Sequence, residues 1–586
     1  MLFASVLVAQ SPVQTLPRTG EMYGNLDLND PYRTTIHGLF AQPFDFNGVE
    51  KTIHVYISAE NRQSEPFVLL LVDTDVDVPR FLASSGWQSI ADEQGLIVAV
   101  AQPPGVDWSG QNDFAYLEAV YEQTHNRSHY NAQKGNNYLA AYGRAATVGQ
   151  MWAFENPQNF SSFATMGDLR PIPAEFLAKT AAAPTNLPSV TVGEIPMPVW
   201  FFVSKMDANA KAVLDAWNKR NDVTDERLSS DLATGVYLAR MNVNDSLINE
   251  QNFLAQTRYT VTNDPERASP QITRAVWKFL SAVIRPVGFA NNALRPSRSV
   301  EEWGATIRHL KVGDVRRYWV EYVPEQRFFT NGDKAPLVVY MHGNNNTAES
   351  MLQRSDFLKV AKERGFIAIL LTGALYNSGT LFPNPKWNLT EADNEFDDYA
   401  YVRAAVEDVV SRLPVDTTRI YAMGQSYGSM AMLAMSLRMN DIFAAGAGTG
   451  AFLPERMMNL YQSNKVLRGN KMPIQVLLGE RDGVVGDRRG GVWENESMRA
   501  QMPYWLERDG LPGDVDRALT GKYKSGRFNV YEFANSQGVP LVQYVTVDER
   551  IHTIVAMDLY FQYDTFVSKW SRGPDGTLFY MGKAVQ

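Results

Sequence analysis

Cysteine is absent from all 586 residues, which excludes disulfides, iron–sulfur clusters, thiolate zinc sites and a cysteine nucleophile. Histidine is scarce, and seven scattered side chains leave little for a histidine-rich metal centre. No apolar run approaches the roughly 18 residues that would cross a bilayer as a helix. Basic clusters are missing too, and a net charge of −9 argues against nucleic acid as the main partner. The expectation is a chain without cofactor or metal, without a nucleic-acid partner and without a membrane span. What remains is ordinary globular composition, 45% hydrophobic and 20% charged. The length allows about two to four domains with full cores. Residues 1–9 (MLFASVLVA) are apolar, but no Lys or Arg precedes Arg18, so the basic start of a signal peptide is missing. Residues 1–30 read as a tail, and a secreted or a cytoplasmic location stays open, as does the oligomeric state.

The chain repeats itself. Residues 66–101 and 336–371 share one pattern without a gap at a shift of 270 positions. Each runs apolar strand, polar loop, amphipathic helix, glycine (Gly95 or Gly365) and apolar strand, with the glycine where a helix C-cap belongs. Further pairs follow in the same order: 112–119 with 397–404, 138–146 with 421–429, and 197–207 with 472–482. A late helix at 276–286 resembles the stretch around 566–570. Buried strands written as continuous Val/Ile/Leu runs and alternating with helices predict a mostly parallel sheet covered on both faces. The polar, proline-containing stretch 291–298 (NNALRPSR) is the expected boundary. The prediction is a tandem duplication of one α/β domain, over 31–295 and 299–586.

The chemistry falls in the second copy. Gly424-Gln425-Ser426-Tyr427-Gly428 fits G-x-S-x-G. An apolar strand (RIYAM, 419–423) precedes it and a helical stretch (MAMLAMSLRM, 430–439) follows. Ser426 therefore belongs at a strand-to-helix turn that lifts its Oγ above the sheet. A serine hydroxyl needs a base in hydrogen-bond reach. In α/β-hydrolase order the base follows the nucleophile. Of the seven histidines only His552 does so. The orienting carboxylate belongs after an intervening strand, and PIQVLL at 473–478 runs into a loop with Asp482; Asp487 is the alternative. The backbone N–H of Tyr427 is one expected oxyanion donor. The second comes from the loop after 337–341 (LVVYM), at Asn344 or at Gly343, with His342 bracing that loop. The methionines at 430, 432, 435 and 439 read as the buried face of the helix after Ser426.

These features resemble the polyhydroxybutyrate-depolymerase-like esterases, relatives of feruloyl and acetylxylan esterases in the α/β-hydrolase superfamily. The resemblance rests on VRRYWVEYV (315–323), MHGN (341–344), Trp387-Asn388, Asp397-Asp398 and VDTTRIYAMGQSYG (415–428), and covers about 299–573. It implies hydrolysis of carboxylic esters through an acyl-serine intermediate without a cofactor, on short-chain, hydroxyalkanoate or aryl (feruloyl-type) esters and on polyester. It places the triad on Ser426, Asp482 and His552, and implies a pocket aromatic at Trp387. The loop at 373–388 is either a pocket wall or a packed connection. Two features depart from the family: there are no cysteines, and no separate polymer-binding domain is recognisable.

The first copy reads as catalytically incomplete. Gly143 stands where Ser426 would, Val72-Asp73-Thr74 replaces His342-Gly343-Asn344, and the histidine position falls near Ser269, although Asp207 matches Asp482. Two other readings compete. One is a serine peptidase of the prolyl-oligopeptidase type, whose hydrolase domain follows a β-propeller. The other is a glycan- or polymer-binding protein without turnover.

Overall fold

The computed structural model describes residues 11–16, 27–34, 36–62, 65–125, 130, 132, 135–167, 169–185, 190–223, 225–228, 232, 234–238, 254–286, 294–330, 332–376, 384–389, 396–453, 457–459, 469–483 and 496–585. They divide into two compact units, one over 32–297 with 11–16, the other from 298 onward with 27–31.

In the first unit the strands are β1 (Val13–Thr15), β2 (Gly38–Phe46), β3 (Val49–Ile57), β4 (Phe67–Leu71), β5 (Ile97–Ala101), β6 (Asn137–Tyr142), β7 (Ser162–Met166), β8 (Val199–Val203), β9 (Asp225–Leu228), β10 (Gly235–Leu238) and β11 (Gln256–Val261). They form one sheet in the order β1-β2-β3-β5-β4-β6-β7-β8-β11-β10-β9. Strands β5, β4, β6, β7, β8 and β11 are mutually parallel. Every residue of β4 and β5 is buried, because helices cover both faces. Phe67, Leu69 and Leu71 pack with Trp152 and Trp217 on one face. Val68 and Leu70 pack with Trp87 and Trp277 on the other. This is the period-2 alternation of a strand read twice. Val13–Thr15, inside the expected tail, is a strand that pairs in parallel with β2.

The second unit contains β12 (Thr306–Val312), β13 (Val315–Tyr322), β14 (Ala335–Met341), β15 (Ile367–Leu371), β16 (Val415–Gln425), β17 (Ala445–Thr449), β18 (Ile474–Gly479), β19 (Gly521–Ser525), β20 (Phe528–Ala534) and β21 (Pro540–Val547). Their order is β12-β13-β15-β14-β16-β17-β18-β21-β20-β19. Without β1, the two orders coincide at every position, and so do the parallel and antiparallel pairings. Register coincides as well: Phe67 lies opposite Ile97 in one sheet and Leu337 opposite Ile367 in the other. Gly95 and Gly365 close the preceding helices at φ +70° and +65°, the left-handed region glycine favours.

The two sheets also share an anchor at the N-terminal ends of their parallel strands. Buried Arg572 donates from Nε to the Phe443 carbonyl (2.9 Å) and from Nη2 to the Lys471 carbonyl (2.7 Å), just before β17 and β18. Arg285 does the same in the first unit, to Phe160 (2.9 Å) and Pro196, just before β7 and β8. Charged hydrogen bonds to buried carbonyls contribute about 1.5–3 kcal/mol each. Arg572→Ala is expected to lower the unfolding free energy of the second unit by about 3 kcal/mol in a urea titration.

Candidate active site

Strand β16 ends at Gln425, and the next residue turns sharply into the helix Tyr427–Arg438. Ser426 sits in that turn at φ 56°, ψ −122°, a strained conformation for a residue with a Cβ. The flanking glycines are required by close approach. A Cβ on Gly424 would strike the Gly428 carbonyl, and one on Gly428 would strike the carbonyls of Met341 and His342. The Ser426 N–H donates to the Thr449 carbonyl at 2.7 Å, which fixes the elbow to β17.

Ser426, His552 and Asp482 form one hydrogen-bonded line. His552 Nδ1 lies 2.9 and 2.8 Å from the two Asp482 carboxylate oxygens, and its Nε2 lies 2.8 Å from Ser426 Oγ. A carboxylate only accepts, so Nδ1 carries the proton and Nε2 is left to accept from the serine hydroxyl. Asp482 is buried, whereas His552 and Ser426 are half-buried. Asp487 lies outside the described residues.

The sequence carried no signal for what holds Asp482 and His552 together. The loop after β18 is sewn to the loop after β21: Glu480 N–H donates to Val547 O (3.1 Å) and Arg481 N–H to Arg550 O (2.8 Å). Two residues before His552, Arg550 donates to the buried Asp558 carboxylate at 2.7 Å. Burial pushes Asp558 up to about 6 against the pull of Arg550. Gly450 (φ +80°) passes the imidazole so closely that a Cβ would lie 3.2 Å from His552 Cε1. A glycine after an apolar strand was the only sequence signal for this contact.

The expected oxyanion loop follows β14. Gly343 packs against the elbow, where a Cβ would lie 2.7 Å from Gln425 Oε1 and 3.2 Å from Ser426 Cβ. Asn344 is exposed beside it, and Tyr427 is half-buried at the start of its helix. His342 is wholly buried. Its Nε2 accepts from the Gly373 N–H at 2.8 Å, so its Nδ1–H donates to the Gly343 carbonyl at 2.6 Å. That carbonyl belongs to the same planar peptide as the Asn344 N–H. The ring therefore sets the direction in which that N–H points. Trp387 holds the preceding peptide: it is 1% exposed, and its indole N–H donates to the His342 carbonyl at 2.9 Å. Its surface is buried behind the loop. The described ends of the 373–388 stretch pack there too, with Lys386 N–H donating to Ala374 O at 2.9 Å. Deeper still, Arg317 donates to Asp398 at 2.6 Å and to the Thr372 carbonyl at 3.0 Å. Met432, Met435 and Met439 are buried, as the helix after Ser426 requires, and Met430 is half-buried.

In the first unit the same turn exists without the serine. Gly143 has φ +58°, and its N–H donates to Met166 O at 2.8 Å. A Cβ there would collide with the Asp73 carboxylate. That carboxylate accepts from the Arg144 backbone N–H at 3.1 Å and pairs with its guanidinium at 3.3 Å. Asp207 is a helix N-cap, accepting from the N–H groups of Asn209 (3.0 Å) and Ala210 (3.1 Å). Ser269 is also an N-cap, in the place Val555 takes in the second unit. The counterpart of His552 is therefore Glu266 rather than Ser269. Trp108 repeats the Trp387 brace, donating to Val72 O at 3.1 Å. Among the described residues no group of three or more His, Asp or Glu could hold a metal ion, and no helix is long and apolar enough to cross a membrane.

Burial pushes the His342 imidazole down to about 4. Its unfolded value is about 6.5, so between roughly pH 6.5 and 4 the unfolded chain binds a proton that the folded chain refuses. Stability therefore falls as pH drops through that window, by about 3 kcal/mol from this group. In His342→Gln the drop in urea-unfolding free energy between pH 7 and pH 4 should be smaller than in the parent by that amount.

The model for the prolyl oligopeptidase family matches residues 378–470, the segment containing Ser426. Feruloyl esterase B of Piromyces equi is 27% identical over 157 residues, which cover 27% of this chain and 28% of that protein. The provisionally named esterase NocK of Nocardia uniformis subsp. tsuyamanensis is 27% identical over 158 residues, covering 27% of this chain and 44% of that one. The chain thus spans less than half the length of either relative. Acetyl xylan esterase from Aspergillus awamori is a solved structure with 14% identity and a TM-score of 0.34, covering 44% of this chain and 99% of its own. With these sheets, helices on both sheet faces and the elbow, the chain has the α/β-hydrolase fold, and it is similar to serine esterases of that superfamily.

Proposed function

We propose that this chain is a serine carboxylic-ester hydrolase whose working site is Ser426, His552 and Asp482. The observation that carries the reading is the unbroken hydrogen-bond line from Ser426 Oγ to Asp482, at 2.8 Å on one side of the imidazole and 2.8 and 2.9 Å on the other. Ser426 Oγ attacks the ester carbonyl carbon while its proton passes to His552 Nε2. The carbonyl oxygen becomes an oxyanion facing the N–H groups of Tyr427 and Asn344. Its collapse breaks the bond to the alcohol, which leaves with the proton from His552. Water then attacks the acyl-serine, giving its proton to the same nitrogen, and the acid is released as Ser426 recovers its hydrogen. Asp482 keeps the imidazole in the required tautomer and stabilises its charged form.

The substrates proposed are short-chain, hydroxyalkanoate or aryl (feruloyl-type) esters, with polyester as the extended case. The matching strand orders, the equal registers and the shared arginine anchors support a tandem duplication, over 31–295 and 299–586 after an N-terminal segment. The Asp73 carboxylate against Gly143 supports an acyl-transfer role for the second copy alone. Trp387 is proposed as a brace of the oxyanion loop in place of a pocket wall. A second reading, a serine peptidase of the prolyl-oligopeptidase type, is favoured by the match over 378–470. It is opposed by the α/β sheet that stands where such enzymes carry a propeller.

Hydrolysis of p-nitrophenyl esters from C2 to C8 is expected, with the best chain length sizing the acyl pocket. Ser426→Ala should cost on the order of 10⁴- to 10⁶-fold in kcat, and Asp482→Asn about 10⁴-fold. Equal rates in parent and Ser426→Ala would remove this serine from the mechanism. Faster cleavage of matched anilides than of esters would favour the peptidase. Trp387→Phe should lower kcat about tenfold with KM little changed, since one lost hydrogen bond of about 1.4 kcal/mol loosens a donor used in the transition state. A raised KM at unchanged kcat would instead make Trp387 a substrate contact.

A further inference from the structure

At the N-terminal ends of its parallel strands, the first unit buries a cation without a counter-charge among the described residues. Arg220, at the end of the helix Ala208–Asn221, is 8% exposed, and its Nε, Nη1 and Nη2 are closed off from solvent with no hydrogen-bond partner among the described residues. The guanidinium lies 3.5 Å from the centre of the Phe154 ring and 5.7 Å from that of Trp217. The Trp217 indole N–H is also buried and unpartnered. The second arginine, Arg285, raises the positive potential further. Burial and that neighbour push Arg220 down to about 9, which leaves it protonated at neutral pH. An unpaired buried ion costs several kcal/mol, and a ring face returns about 2 kcal/mol at most.

The second unit holds the same elements with two differences: Arg508 donates from Nη2 to the Asn470 carbonyl at 3.0 Å, and a carboxylate stands beside its guanidinium. Arg508 and Arg572 take the places of Arg220 and Arg285, and the Asp509 carboxylate lies 3.6 Å from Arg508 Nη1. Asp509 accepts the Met472 N–H at 2.9 Å, just as Asn221 accepts the Met197 N–H at 2.8 Å. The first unit has therefore kept both arginines and has an amide where the acid would stand. Asn221 uses its own N–H groups on Met197 O (2.7 Å) and Thr257 Oγ1 (3.3 Å), so it gives Arg220 nothing.

We propose that this cluster binds one small inorganic anion of chloride size, which supplies beside Arg220 the negative charge that Asp509 carries in the second unit. The Arg220 nitrogens are closed to solvent, so the anion enters as the unit folds. Water would accept the same hydrogen bonds but would leave the charge uncompensated.

The test uses the full chain. Hydrogen exchange of peptides covering 208–221 is compared in sodium chloride and sodium gluconate at equal ionic strength. Exchange should be about tenfold slower in chloride, and the difference should vanish in Asn221→Asp, which supplies the carboxylate. Equal exchange of the parent in both salts would overturn the proposal. Should Asn221→Asp fail to fold, crystals of the parent grown in bromide decide it. An anomalous peak beside the Arg220 guanidinium supports the anion, and water density there refutes it.

Discussion

The site depends on one steric constraint, the close approach of the loop after β14 to the turn after β16. The gap between them admits one side chain. In the second unit that side chain is the Ser426 hydroxymethyl, and the residue facing it, Gly343, has none. In the first unit the choice is reversed: Asp73 fills the gap and Gly143 is bare. Backbone geometry is nearly the same in both, at φ +56° and +58°. The strain of a left-handed serine persists in the second unit because the sheet and the flanking glycines over-determine the turn. One fold thus carries a serine hydroxymethyl at this turn in one unit and a bare glycine facing a carboxylate in the other.

Around this point the second unit invests its buried polar groups in aiming peptides. His342 is neutral and dry, so its two ring nitrogens have fixed and opposite roles. One is held by Gly373, and the other turns the peptide that carries the Asn344 N–H. Trp387 holds the peptide before it, and the Arg317–Asp398 pair holds the segment behind. His552 is held alike: Arg550 pairs with Asp558, and its carbonyl ties the loop to the one carrying Asp482 by accepting the Arg481 N–H. Each of these groups acts through a neighbour, which is how a site on loops gains the precision of its sheet.

Much of this was legible in the sequence. The gapless shift between 66–101 and 336–371 survived because buried parallel strands tolerate only apolar runs, and it matches the observed register. Ser426 was read from the turn signature, His552 from the lack of any other histidine after the serine, and Asp482, with Asp487 as the alternative, from the loop after the strand at 473–478. Direction was not legible. An aromatic near a site can face the ligand or the scaffold, and Trp387 faces the scaffold because its N–H finds the His342 carbonyl. Asp207 looked like a triad acid but caps a helix, a role short-range chemistry assigns regardless of what lies across the sheet. The counterpart of His552, read as falling near Ser269, is Glu266, three residues before that N-cap as His552 is before Val555. The arginine anchors bring together residues more than a hundred positions apart, a pairing that no local pattern encodes.

The most direct measurement is the stoichiometry and position of labelling by an alkyl fluorophosphonate, read by intact mass and peptide mapping. Ser426 Oγ should displace fluoride from phosphorus, giving one adduct per chain on the peptide after β16 and none on the peptide containing Gly143. A folded chain that takes no label at Ser426, or that carries a second adduct in the first unit, would contradict the assignment of acyl transfer to the second copy alone.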